Sequence, residues 1–172
     1  AASEACGGGR RIVTPIACAL EMIHTFSLIH DDLPAMDDDN FRRGIPTNHK
    51  VFGEAVAILA GDVLFTEAFS LLGKTGMNMG RDAHRMLEII HDIALATGSI
   101  GMVGGQVLDI EAIGTKLSVE DLKKLHALKT GKLIAVSVTS GAKLATQDYS
   151  KIAAIEAYGN AVGLAFQIAD DI

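Results

Sequence analysis

The sequence predicts an all-α bundle. Three observations carry that prediction: apolar residues recur at helical spacing along nearly the whole chain, the apolar content is aliphatic, and no segment alternates with period two for long enough to make a strand. Of the 172 residues 49% are hydrophobic, yet only 5% are aromatic and none is tryptophan, so the core must be built from alanine, leucine, isoleucine and valine packed helix on helix. That length suffices for one substantial core, and a single domain over residues 1–172 is expected. The chain opens at Ala1 rather than at a methionine and closes at Ile172 within an apolar helical stretch, so it reads as an internal fragment.

The elements follow in order. Residues 13–33 form a first helix with Ile16, Leu20, Ile23 and Ser27 on one face. Pro34 disfavours helical geometry at Leu33 and should end it there. Residues 34–50, rich in aspartate with Gly44 and Pro46, read as loop. A second helix spans 53–72 and is stopped by GKTGMNMG; a third spans 81–112 with the glycine cluster GSIGMVGG inside it. Ser118, with Asp121 three residues on, is an N-cap that starts a fourth helix to about residue 144. A fifth runs from 149 to the end.

Charge and cysteine content exclude several function classes. The net charge of −6 removes a broad nucleic-acid surface, which needs a basic face. Cys6 and Cys18 make neither a disulfide framework nor a metal-type pair, which fits a reducing compartment. The longest apolar run, AVAILAGDVLF, is broken by Asp62 and is too short to cross a bilayer, so no membrane span is expected.

Five aspartates fall in nine residues, Asp31, Asp32, Asp37, Asp38 and Asp39, and Arg42, Arg43 and Lys50 follow. In an unbroken helix Asp31 and Asp37 would face different sides; the Pro34 break is what lets them converge. Converging carboxylates ionise together only beside a cation, and an oxygen-only donor set suits Mg²⁺ or Mn²⁺. Guanidinium forks match phosphate oxygens, so carboxylates, hard metal and arginines together describe a diphosphate site. A second acidic cluster closes the chain in FQIADD, where Gln167 shares a helix face with Asp170 and Asp171. Gln106 and Asp109 pair at i, i+3 in GGQVLD, just after Gly98, Gly101, Gly104 and Gly105, each of which costs a helix about 1 kcal/mol against alanine. Lys129 and Thr130, in LKTGK, are potential phosphate donors. A rival reading takes the Glu-x-x-His pairs Glu21/His24 and Glu88/His91 as a di-iron motif, although it leaves the aspartates and arginines unexplained.

These motifs, in this order, resemble the trans-isoprenyl diphosphate synthases: the stretch from EMIHTFSLIHDDLPAMDDDNFRRG to AILAGD, then GGQVLD, LKTG and GLAFQIADDI. The resemblance implies an all-α bundle around a deep central cavity, usually a cytoplasmic homodimer, or a plastid one in a eukaryote. It implies Mg²⁺ held by Asp31, Asp37 and Asp170, with Asp32 and Asp171 as partial or supporting ligands, and Asp109 in the motif lining the cavity. By the same likeness Arg42 grips an allylic diphosphate and Arg43 isopentenyl diphosphate. Lys129, Thr130, Gln106 and Gln167 bind the allylic substrate or steady the developing cation.

The four residues inside DDxxxxD and an aromatic five positions before it resemble the bacterial farnesyl diphosphate synthases. That aromatic is Phe26, followed by the small Ser27, about 7.5 Å along the helix from Asp31, where a ring can floor the cavity. A geranylgeranyl diphosphate synthase and a non-catalytic subunit of a prenyl synthase are the alternatives. The chain departs from the family at its start, where GGGRR does not replace the glycine–lysine–arginine motif that binds isopentenyl diphosphate.

Overall fold

The computed structural model describes residues 1–170 and is helical apart from one tiny antiparallel hairpin. It divides into two compact units, one built from Ala1–Thr14 and the chain from Gly76 onward, the other from Pro15–Thr75.

In the second of these, α2 (Arg10–Asp31) buries Ile16, Ala19, Leu20 and Ile23. These positions repeat at i, i+3, i+4 and i+7, the expected apolar stripe. The helix ends at Asp31, two residues short of the expected boundary. The chain then turns, crosses β1 (Phe41–Arg42) and β2 (Ile45–Pro46), and enters the short α3 (Asn48–Phe52). The acidic stretch is therefore followed by a hairpin and a helical turn rather than by plain loop. In β1–β2 Arg42 pairs with Ile45, which leaves Arg43 and Gly44 as a two-residue connection. Both have positive φ, 52° and 78°, the geometry of a type I′ turn. A long α4 (Glu54–Met77) closes the unit, burying Ala57, Gly61, Ala68 and Leu72 along one side. It outruns its expected end by five residues, because packing outweighs the penalty of Gly73 and Gly76. At Gly76 a Cβ would sit 3.0 Å from Cγ of Met86, so glycine makes room for a buried methionine.

The other unit contains the short α1 (Ala2–Ala5), a 3₁₀ turn at Gly80–Asp82, α5 (Ala83–Thr97) and α6 (Met102–Ala112). The expected third helix is thus two helices. The break falls in the glycine cluster, between Thr97 and Met102, where the backbone of Gly101 lies so close to the Ala96 carbonyl that a side chain has no room. Ser118 caps α7 (Val119–His126) as expected, its Oγ accepting from Asp121 N at 3.1 Å. The helix continues through a π turn, Ala127–Gly131, into α8 (Lys132–Ala145), with α9 (Tyr149–Asp170) following. Helix α8 packs against α9, α5 and α1 and is buried on most sides. Among the residues of α9 whose burial is described, only Gly159, Gly163 and Gln167 are buried, a stripe at spacing four. Gly159 lies against Val138 and Ala135 and Gly163 against Gly131, so helix meets helix at backbone distance.

Among the described residues, by length and composition alone, four stretches are long and apolar enough to cross a membrane: Arg10–Asp31, Glu54–Met77, Gly80–Ala112 and Tyr149–Ala169. The expectation of no span rested on the longest uninterrupted run. Averaged over whole helices, alanine and glycine keep the hydropathy high across isolated charges such as Asp62.

Candidate functional site

The aspartate stretch is organised by its own backbone. After α2 ends, Leu33 N donates to His30 O, Met36 N to Leu33 O and Asp38 N to Leu33 O, at 3.2, 2.8 and 3.1 Å. Asp37 N donates to Asp31 O at 2.9 Å, so the turn around Pro34 folds back and brings the two ends of DDxxxxD together. Asp37, Asp38 and Asp39 are exposed and Asp31 is half-buried. Among the described residues no three histidine, cysteine, aspartate or glutamate side chains come together as a cage for a metal ion. That arrangement lends no support to a di-iron centre, which needs more ligands; Glu21, Glu88 and His91 are exposed.

Asp32 is different. Its side chain is 5% exposed, and both oxygens are occupied by Arg42: Nε donates to Oδ1 at 2.8 Å and to Oδ2 at 3.1 Å, while Nη2 lies 2.6 Å from Oδ1. The hydrogen bonds Arg42 donates to Asp32, with the charges of Asp32, Asp31 and Asp39 behind them, hold the guanidinium above its ordinary pKa despite partial burial. In this state Arg42 is a strut across the acidic turn. The exposed Arg43 occupies the hairpin tip, where a positive φ costs a side-chain-bearing residue about 1 kcal/mol.

Sequence reasoning did not see what ties this loop down. Thr47, 3% exposed, donates Oγ1–H to Asp39 O at 2.7 Å and its N–H to Asn40 O at 3.1 Å. The buried His49 sits 3.2 Å away, and since Thr47 has spent its proton, Nδ1 of His49 is the donor to Thr47. Threonine and histidine two apart give no local signal of this. Also unforeseen is an aromatic ladder upstream, in which Phe26 meets His30 and Phe65, and Phe65 meets Phe69. Ser27 is half-buried beside it, its Oγ bonded to His24 O.

In the other unit Lys129 and Thr130 lie in the π turn, a rare irregularity that often marks functional positions. Lys129 Nζ is 2.5 Å from Asp109 Oδ2 on α6, so Asp109 holds a lysine here. Gln106, one turn earlier, has its Nε2 buried with no hydrogen-bond partner. Helix α6 reaches the turn through Gly105, whose missing Cβ would strike the Lys129 backbone and stand 2.6 Å from its Cα. Gly105→Ala is therefore expected to destabilise the protein by about 1–3 kcal/mol, the usual range for overpacking, read as a lowered urea midpoint with Lys129 displaced. Gln167, 8% exposed, lies on the face of α9 that packs on α8 and the π turn. Asp170 is the last residue of α9 and Asp171 lies outside the described residues.

A cleft of about 320 Å³ lies elsewhere in this unit, lined by Asp92, Leu95, Lys132, Thr139, Lys143 and Glu156 among others; none of the sequence-predicted site residues lines it, and Lys143 Nζ pairs with Asp92 at 2.5 Å.

Known proteins match this arrangement throughout. The family model described as polyprenyl synthetase matches residues 1–172. A farnesyl diphosphate synthase of Bacillus subtilis is 47% identical over 169 residues, covering 98% of this chain and 57% of that protein. A geranylgeranyl diphosphate synthase of Cyanophora paradoxa is 44% identical over 173 residues, again 57% of its length. Among solved structures, an FPP/GFPP synthase from Zymomonas mobilis superimposes with a TM-score of 0.92 at 40% identity, covering 99% of this chain and 62% of that one. The chain thus spans about half the length of the curated relatives it matches.

Proposed function

The chain belongs to the polyprenyl synthetase family, and from that premise we propose that the whole protein condenses isopentenyl diphosphate with dimethylallyl or geranyl diphosphate to give farnesyl diphosphate, releasing diphosphate. The observation that carries this reading is the folded-back turn joining Asp31 to Asp37, followed within a few residues by a hairpin bearing two arginines. Carboxylates and guanidinium groups so close together are the two halves of a diphosphate clamp.

In this reading Asp31 and Asp37 would hold Mg²⁺, Asp170 and Asp171 would be the further ligands that the family likeness implies, and Asp32 would support the turn. When bound, the metal neutralises the charge that builds on the leaving diphosphate. The chain's own groups do the rest. Arg42 and Arg43 orient diphosphate oxygens, and Lys129 and Thr130 donate to them, Lys129 exchanging Asp109 for the substrate. The unpartnered Nε2 of Gln106 is a donor waiting for an acceptor. The carbonyl oxygen of Gln167 is suited to steadying positive charge on the allylic carbons. The C–O bond to the allylic diphosphate breaks, the double bond of isopentenyl diphosphate attacks the allylic carbon so freed, and the released diphosphate takes the proton then lost, so no protein nucleophile is needed. An aliphatic, dry surround protects the cation from water. The protein works as a cytoplasmic homodimer; exposed apolar residues such as Val56, Leu59 and Val63 on α4 support such an assembly.

The test is incubation of full-length protein with isopentenyl and geranyl diphosphate, with and without Mg²⁺, followed by mass spectrometry of the dephosphorylated alcohols. A fifteen-carbon product that depends on Mg²⁺ is expected. No Mg²⁺-dependent product would overturn the reading, and a dominant twenty-carbon product would transfer it to a geranylgeranyl synthase.

A further inference from the structure

We propose that Thr47, with His49 behind it, is a positioning residue that holds the arginine hairpin in place for diphosphate; the inference rests on the prenyl-transfer reading above. It starts from what the loop lacks. Every residue from Asp37 to Pro46 is exposed except the half-buried Arg42, and even Phe41 and Ile45 are 66% and 68% exposed. With no buried apolar side chain in this stretch, packing does not decide where Arg42 and Arg43 stand. Hydrogen bonds and ion pairs do.

One such anchor is the pair of Arg42 with Asp32. The other lies at the base of the hairpin. Antiparallel rungs alternate between hydrogen-bonded and open pairs, so after Arg42–Ile45 and Phe41–Pro46 the next bonded rung falls at Asn40–Thr47. Thr47 N–H donates to Asn40 O there at 3.1 Å, while Pro46, which has no N–H, occupies the open pair. Thr47 Oγ1 adds a bond to Asp39 O at 2.7 Å.

The hydroxyl makes that bond in place of another. Thr47 stands at the N-cap of α3, where a threonine ordinarily accepts from a backbone N–H of the first turn, yet it makes no side-chain cap. His49 supplies the donor instead, with Nδ1 3.2 Å from Oγ1. The Nε2 of this buried ring has no hydrogen-bond partner among the described residues, so the bond to Thr47 is what orients it. Both sides of the hydroxyl are thus committed, which fixes its direction toward the acidic stretch. When Arg42 turns to a diphosphate it gives up Asp32, and the hairpin loses that anchor. Thr47, 3% exposed beneath the loop, still holds the carbonyls of Asp39 and Asn40 just before the arginines. The guanidinium groups are then presented to the ligand already ordered, which lowers what binding costs.

The experiment compares full-length wild-type protein with Thr47→Val, which keeps the shape and removes the hydroxyl, and Thr47→Ser, which keeps the hydroxyl. Two readings are taken: the Kd for inorganic diphosphate with Mg²⁺, by calorimetry, and KM and kcat with isopentenyl and geranyl diphosphate. Thr47→Val is expected to raise Kd and both KM values about tenfold, the scale of one hydrogen bond, with kcat within about threefold. Thr47→Ser is expected to stay within about twofold of wild type in each. A merely structural role would lower the active fraction, and kcat with it, while KM and Kd held; that outcome in folded Thr47→Val overturns the proposal. Should Thr47→Val fail to fold, His49→Leu removes the donor and keeps an apolar side chain in the buried place, and the same two ratios decide. Wild-type protein that binds diphosphate but forms no Mg²⁺-dependent product would sink the prenyl-transfer reading, and the Kd ratio alone would then decide the role of Thr47.

Discussion

Full-length protein carrying Asp31→Asn is expected to turn over at least ~10³-fold more slowly than wild type, roughly 4 kcal/mol of lost transition-state stabilisation. The substitution keeps shape and removes one negative charge at the end of α2, where the chain turns back through the Asp37 N to Asp31 O bond. A hard dication binds oxygen by charge, and an amide oxygen does not replace a carboxylate. Asp37→Asn should behave alike, since that bond places it at the other end of the same turn. Asp38→Asn is the control. Asp38 also lies in this stretch, but its φ of 52° is a conformation asparagine tolerates, and its backbone N–H is already committed to Leu33 O. It should retain activity within about threefold, a shift no larger than that of a surface charge. Steady-state rates against Mg²⁺ concentration check all three. Equal loss from all three would mean that bulk negative charge, rather than a particular pair, is what matters. Undiminished rates in Asp31→Asn and Asp37→Asn would remove the metal assignment.

The features legible in the sequence were those that depend on neighbours along the chain. Ile16, Leu20 and Ile23 declare the buried face of α2 because four- and three-residue steps return to one side of a helix. Pro34 announces the end of that helix, and Ser118 the start of α7, because both act within one turn. The family itself was legible because several short motifs stand in a fixed order. What could not be read depends on contacts between distant segments. Arg42 reaches Asp32 across ten residues and Lys129 reaches Asp109 across twenty. Two residues assigned separately to a ligand thus turn out to hold other candidate residues in this state. The glycine cluster was read as a helix interior with unusual costs, whereas α5 stops at Thr97 and α6 starts at Met102, with Gly98 and Gly101 in the break. The π turn at Lys129 has no local signature, since its widening accompanies the close approach of Gly105 from another helix. The Arg43–Gly44 turn was missed because the second position is glycine while the first is not asparagine or aspartate.

The pair of Arg42 and Asp32 leads to a second large effect, one with a direction that distinguishes its two ends. Arg42→Gln should cost about 3 kcal/mol of stability, because it leaves a carboxylate that is 5% exposed without its cation. Asp32→Asn should cost clearly less. The Arg42 side chain is 33% exposed and can swing to water, and asparagine still offers one oxygen to the guanidinium. The double variant, Asp32→Asn with Arg42→Gln, should therefore be more stable than Arg42→Gln alone, a coupling that simple loss of a surface contact would not produce. Urea unfolding of the four proteins measures this directly, and a double variant less stable than Arg42→Gln would show that the pair is not the source of the effect. Turnover adds an independent reading. If Arg42 both braces the acidic turn and grips diphosphate, Asp32→Asn frees the guanidinium and should change KM for the allylic diphosphate while sparing much of kcat. Arg42→Gln removes both roles and should lower kcat/KM by more than Asp32→Asn does. Equal losses from the two substitutions would instead mean that the arginine only braces the turn, with diphosphate held by Arg43 and its neighbours.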